Sequence, residues 1–170
     1  MLVSSPLRRA ASTVSLALGE RLHRSAEPVR VHSACQEISR NVDTMGLATA
    51  AHDDCDAVLA TDGVPTRFDA SDHAGNKTLA LRGIRRLEDF ASWAAGRPER
   101  AIIVGGHSLW FRSFFARYLT RTEHPAAKRK MVNCGVVAFT LSTVPQAKGT
   151  VRHFIRPESI SVVYGGFATK

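Results

Sequence analysis

Thiols are scarce in this chain. Cys35, Cys55 and Cys134 are its only cysteines, an odd set whose spacing matches no metal-ligand pattern. Neither a disulfide framework nor a zinc module therefore organises the fold, and free thiols in a reducing compartment suit it better. Cys35 and Cys134 read as small apolar fillers. Long hydrophobic runs are missing too: none approaches the ~20 residues that a membrane span needs, which argues against a membrane protein and for the cytoplasm. No aromatic stacking platform interleaves the arginines, which argues against nucleic acid as a partner. There is no internal repeat and no low-complexity tract. Acidic residues are in the minority, 15 against 23 lysines and arginines, and the net charge of +8 points to an anionic partner. Phosphate esters, nucleic acids and acidic lipids all answer that description. What is present is 170 residues, 44% of them hydrophobic, which is one domain's length and enough for a core.

The most informative stretch runs from Arg100 to Phe115. Ala101 to Val104 is apolar throughout and suits a buried central strand. Gly105 and Gly106 allow a sharp turn, and Ser108 can cap a helix bearing Leu109, Phe111, Phe114, Phe115, Tyr118 and Leu119. A strand ending in glycine and a polar side chain before a helix is where open α/β sheets place their chemistry. That makes His107 the focal residue.

Upstream, residues 1–26 support two readings. Arginines and serines with no acid before Glu20 resemble a mitochondrial presequence, which keeps a mitochondrial location open. Alternatively Met1–Ser4 ends a strand, Ser5 caps a helix with Pro6 at its first position, and Leu7, Ala10, Ala11, Val14, Leu18 and Leu22 mark its apolar face. Arg8 and Arg9 then fall in the first turn, where backbone N–H groups favour an anion. Val29–Ala34 predicts a short strand. Residues 35–76 lose periodicity and hold most of the aspartates, which predicts an irregular lid or insert with a solvated acidic loop. Its acidic spacing fits no calcium loop.

Asn76 or Thr78 can cap a helix over Lys77–Ala95 with Ala80, Ile84, Leu87, Ala91 and Ala94 on its buried face. Arg82, Arg85, Arg86, Glu88 and Asp89 fall largely outside that face, and Gly96 and Pro98 end the helix. After the basic connector Lys128–Lys130, strands are expected at Gly135–Leu141, Val151–Ile155 and Ser159–Tyr164. Helices and strands in this order predict a single α/β domain over 1–170.

Two enzyme chemistries are compatible with the turn at His107. Gly106-His-Ser-Leu-Trp110 approaches the nucleophile elbow of acyl hydrolases, but Trp110 stands where the second glycine belongs. No aspartate follows Ser108 either, so the usual order of triad partners is not met. The other chemistry is phosphoryl transfer. Ser4-Ser-Pro-Leu-Arg-Arg-Ala10, Gln36-Glu37, Ile102-Ile-Val-Gly-Gly-His-Ser108 and Asn133-Cys-Gly-Val-Val-Ala-Phe139 resemble, in order and separation, the histidine phosphatase superfamily of phosphoglycerate mutase-like proteins.

The resemblance implies a three-layer α/β/α sandwich of phosphoglycerate mutase type. It implies phosphomonoester hydrolysis or phosphoryl transfer through a phosphohistidine, on a small phosphorylated substrate, without metal or organic cofactor. By motif, Arg9 is the phosphate-binding arginine; Arg8 reads as a solvated neighbour that its first-turn position can bring to the pocket rim. His107 is the second, phosphate-binding histidine, and Glu37 is the proton donor, with Asp43 as its substitute. An arginine fork suits phosphate oxygens, and charge placed in advance at the transferring group is the main catalytic effect in this chemistry. The family's nucleophile lies in an Arg-His-Gly motif upstream of the Ser-Ser-Pro segment. No such tripeptide occurs here, and Arg152-His153-Phe154 is the nearest match. The resemblance thus implies an N-terminally truncated or degenerate member, missing one central strand and inactive as written. The alternative is a non-catalytic domain that binds phosphorylated ligands or acidic partners.

Overall fold

The computed structural model describes residues 1–39, 41, 44, 54–76, 83–120 and 123–169. The chain divides into two compact units, the first made of Met1–Arg86 with Pro98–His107 and the second of Leu87–Arg97 with Ser108–Lys170.

The first unit is built on four parallel strands: β1 (Leu2–Ser4), β2 (Val29–His32), β3 (Phe68–Asp72) and β4 (Ile103–Gly105), in the order β3-β2-β1-β4. Leu2 pairs with Val29 on one side and with Ile103 on the other. Leu2, Val3, Val29 and Val31 are fully buried, as parallel strands covered on both faces require. Helix α1 (Arg8–Ala17) brings Val14 onto Leu2 and Val29, joined by Leu22 of the short helix α2 (Gly19–Ser25). One turn earlier, Ala11 meets Val31, Cys55 and Leu59, and Phe68 packs on both groups. Burying each Val or Leu side chain here contributes roughly 1.5–3 kcal/mol.

Several expectations are corrected. The run Ala101–Val104, composed like a central strand, contributes only Ile103 and Val104 to β4, the terminal strand of this sheet among the described residues, and Ile103 is 41% exposed. The interior place goes to Leu2–Ser4, which pairs on both sides. Within the first 26 residues, Leu2–Ser4 lie in the sheet and Leu7, Ala10, Ala11, Val14 and Leu22 are buried. Helix α1 starts at Arg8 with Leu7 as an N-cap that lends no side chain. Ser5 stands two residues before that N-cap, and its hydroxyl meets the Leu7 amide and His107 Nε2. The span 35–76 is not wholly irregular either. It supplies helix α3 (Cys55–Val58), capped by Asp54 on the Asp56 and Ala57 amides, and the whole of β3. Two of its aspartates do not form a solvated loop: Arg30 bridges Asp69 at 2.8 Å and Asp72 at 2.9 Å.

Helix α4 (Gly83–Ala95) covers the described part of the helix expected from Lys77. The Thr78 cap, Ala80 and Arg82 lie outside the described residues. Leu87, Phe90 and Ala91 are its buried side chains, whereas Ile84, expected inside, is 64% exposed. Gly96 closes the helix with its N–H on the Ser92 carbonyl.

The second unit is organised around helix α5 (Ser108–Tyr118). Trp110 stacks on Phe114 at 5.0 Å and meets Phe90 edge-on at 5.2 Å, while Phe115 meets Phe139 at 5.0 Å. Such pairs add about 0.5–1.5 kcal/mol each beyond burial. A short helix α6 (Pro125–Lys128) follows, then two antiparallel pairs: β5 (Val136–Ala138) with β8 (Ser161–Tyr164), and β6 (Leu141–Pro145) with β7 (Val151–Ile155). The strand expected over Gly135–Leu141 is therefore divided between β5 and the start of β6. Cys134 is exposed at a turn with φ 58°, not a core filler, whereas Cys35 is fully buried. The molecule is mixed α/β, with a parallel four-stranded sheet flanked by helices. Among the described residues no helix is long and apolar enough to cross a membrane.

Candidate functional site

All four parallel strands of the first unit end on the same edge, the edge at which open α/β sheets bind ligands. Ser5 follows β1, His32 closes β2, His73 follows β3, and His107 lies two residues beyond β4. Each is buried. The Ser5 amide donates to the Gly105 carbonyl at 3.0 Å, which ties the turn after β1 to the end of β4. The Ser5 hydroxyl lies 2.8 Å from His107 Nε2 and accepts the Leu7 amide at 3.3 Å. His107 is thus fastened to the loop that leads into α1.

Gly105 makes this approach possible. A Cβ there would lie 2.0 Å from Val14 Cγ2, so only glycine lets α1 settle against β4. Helix α1 opens with no acidic residue in its first turn and no side-chain cap. Arg8 and Arg9 occupy that turn and are exposed, three and four residues beyond the hydroxyl that holds His107.

Glu37 belongs to a different segment, after the 3₁₀ turn Ser33–Cys35 that follows β2. It is 7% exposed and accepts the Ile38 amide on Oε1 at 2.8 Å. Gln36, fully buried beside it, donates from Nε2 to the Thr44 carbonyl at 2.8 Å and to Asn76 Oδ1 at 2.6 Å. Arg86 Nη1 donates to the Gln36 carbonyl at 2.8 Å, and Nη2 reaches the Glu37 carbonyl at 3.5 Å. Burial pushes the Arg86 pKa down against the opposing pull of Cys35 and Glu37, and a guanidinium stays charged all the same. Burial also pushes the Cys35 thiol well up, against the pull of Arg86, so it stays protonated.

A third set lies at the ends of β2 and β3. Ser33 Oγ donates to the Gly75 carbonyl at 2.9 Å and accepts the Ala74 amide at 2.9 Å. With its proton placed there, the 3.0 Å contact to His73 Nδ1 is a donation from the ring. His32 Nδ1 accepts the Ala34 amide at 3.1 Å, so its proton sits on Nε2. Among the described residues no group of three or more His, Cys, Asp or Glu side chains is arranged to hold a metal ion.

The contacts above tie His107 to the β1–α1 turn and tie Glu37 to Arg86, and none of them joins the two groups. Asp43, the substitute donor, lies outside the described residues. His153, of the segment Arg152-His153-Phe154, sits on β7 in the second unit, with Thr143 Oγ1 at 3.0 Å and Ser92 Oγ at 3.4 Å. Ser5 and Arg86 were not identified from the sequence. Ser5 reads as a helix cap by its neighbours, and Arg86 falls among charges assigned to a solvated face, yet it is half-buried against two carbonyls. Neither has a local signal, because the partners of each lie about 50 to 100 residues away. No protein-family model matches the chain, and it has no significant match among curated proteins or solved structures.

Proposed function

We propose that the C-terminal edge of the parallel sheet binds a phosphoryl group in the manner of the histidine phosphatases. On this reading the chain is a phosphoglycerate mutase-like three-layer domain whose parent activity is phosphomonoester hydrolysis or phosphoryl transfer. His107 donates to a phosphoryl oxygen, Arg9 supplies the guanidinium, Arg8 flanks it and Glu37 protonates the leaving oxygen. One observation carries the reading: His107 is buried at the sheet edge and fastened through Ser5 to the turn from which α1 and its two arginines start. A basic first turn without an acidic residue is also a favourable environment for an anion. Neither a metal nor an organic cofactor is invoked.

The 170 residues contain no Arg-His-Gly tripeptide, which favours a second reading alongside the first: binding of phosphorylated ligands without turnover. Titration of the chain with phosphate and vanadate by calorimetry tests the pocket. Arg9→Ala and His107→Asn are each expected to weaken binding by about tenfold or more, the equivalent of ~1.4 kcal/mol. Unchanged affinity in both variants overturns the pocket. A generic phosphomonoester assay then separates turnover from binding. A strand ending in Arg-His-Gly, fused ahead of Met1, is expected to confer hydrolysis that His107→Asn abolishes. Hydrolysis by the unfused chain that survives His107→Asn contradicts the mechanism.

A further inference from the structure

Helix α4 meets the segment that carries Glu37 at two points one turn apart. At the first, Gly83 lies so close to Ile38 that a Cβ would stand 3.2 Å from Ile38 Cγ2. At the second, the Arg86 guanidinium spans two consecutive carbonyls, 2.8 Å from that of Gln36 and 3.5 Å from that of Glu37. A planar fork of fixed donors suits this task, and a single ammonium cannot bridge both oxygens with the same geometry. The buried Gln36 side chain is held in turn by Thr44 and Asn76. The backbone at residues 36 and 37 is therefore restrained both by its own carbonyls and by the side chain of Gln36.

We propose that Arg86 is a positioning residue for Glu37, fixing the backbone from which that carboxylate projects and setting a permanent positive charge beside it. The proposal rests on the reading of Glu37 as proton donor. Among the described residues, Cys35 and Glu37 are the ionisable groups whose charge acts on the guanidinium. Burial keeps the Cys35 thiol neutral, and the Glu37 carboxyl is the other acidic group that acts on the guanidinium. The geometry also separates two effects of the same side chain: the fork restrains the backbone, and the charge acts on the carboxylate.

Carboxyl-carbon NMR of Glu37 in the full chain, followed against pH, tests this alongside exchange of the Ile38 amide. In Arg86→Gln the titration midpoint of Glu37 is expected to shift upward, because a favourable neighbouring charge has gone. In Arg86→Lys the midpoint is expected to return toward the wild-type value. Exchange of the Ile38 amide, which bonds to Glu37 Oε1, is expected to quicken in both variants. A midpoint unmoved by Arg86→Gln, or one that Arg86→Lys fails to restore, overturns the proposal. Should Arg86→Gln fail to fold, Arg86→Lys decides alone: faster Ile38 exchange supports the fork, and unchanged exchange overturns it. Phosphate titration of the wild-type chain reports separately. Absence of binding with the Arg86-dependent shift intact faults the pocket, whereas binding without that shift faults this proposal.

Discussion

Gly105 is where one added methyl group has the largest structural consequence. Its Cβ would stand 2.0 Å from Val14 Cγ2 and 3.5 Å from the Ala10 carbonyl, and Val14 belongs to the core beneath Leu2 and Val29. Gly105→Ala must push α1 away from β4, and the overpacking is expected to cost about 1–3 kcal/mol in urea unfolding. Val14→Ala in the same chain is expected to recover part of that loss, since it removes the methyl that collides. Additive losses in the double variant would show that the two side chains do not meet. At this scale the turn that holds His107 could be read in advance. A glycine pair before a histidine announces a tight strand-to-helix turn, and His107 is indeed buried beside one. Ser5 could not be read, because a serine before Pro6 fits a helix cap equally well, and only the fold brings it 2.8 Å from His107.

Among the elements, β3 shows most clearly what sequence periodicity misses. Phe68-Asp-Ala-Ser-Asp72 has one large apolar residue and no β-branched run, yet it pairs in parallel with β2. Besides the packing of Phe68 on the core, Arg30 on β2 holds the strand by bridging Asp69 and Asp72. Burial pulls the Asp69 pKa upward, but the Ser71 hydroxyl and amide and the Arg30 charge outweigh it, and the carboxyl ends below its ordinary 3.8. A carboxyl with a depressed pKa in the folded state stabilises above its unfolded value, and that stability fades as pH falls through the folded one. The contribution of Asp69 to unfolding free energy is therefore expected to hold steady from neutrality down to about the unfolded carboxylate value and to decline below it. Asp69→Asn should flatten that acid decline and lower stability at neutral pH, both readable from urea midpoints at several pH values. An acid limb identical to wild type would mean that the Arg30 bridge makes no net contribution. The converse lesson comes from β4, whose apolar run suited an interior strand. Composition reports that a strand is fit for burial, but neighbouring strands decide which position it takes, and Leu2–Ser4 holds the interior one.

Across the whole molecule the charge is unevenly shared. The first unit carries 12 lysines and arginines against 11 acids, and the second carries 11 against 4. Nearly all of the net positive charge therefore belongs to the unit that does not hold the candidate site. Net charge alone therefore does not direct an anionic partner to the sheet edge at His107. Retention on a polyanion column is expected to survive Arg9→Ala and to fall when Lys128, Arg129 and Lys130 are all replaced by alanine, most visibly at low salt. Loss of retention in Arg9→Ala would place the electrostatic attraction at the sheet edge instead.

The unequal shelter of the three thiols gives the chain a built-in clock. Cys134 meets solvent, whereas Cys35 and Cys55 are sealed within the first unit. A maleimide added to the native protein is expected to label once and quickly, at Cys134. Each later addition of mass should mark a moment when the sheet core parts, so the slow phase of labelling times the opening of the very unit that contains His107.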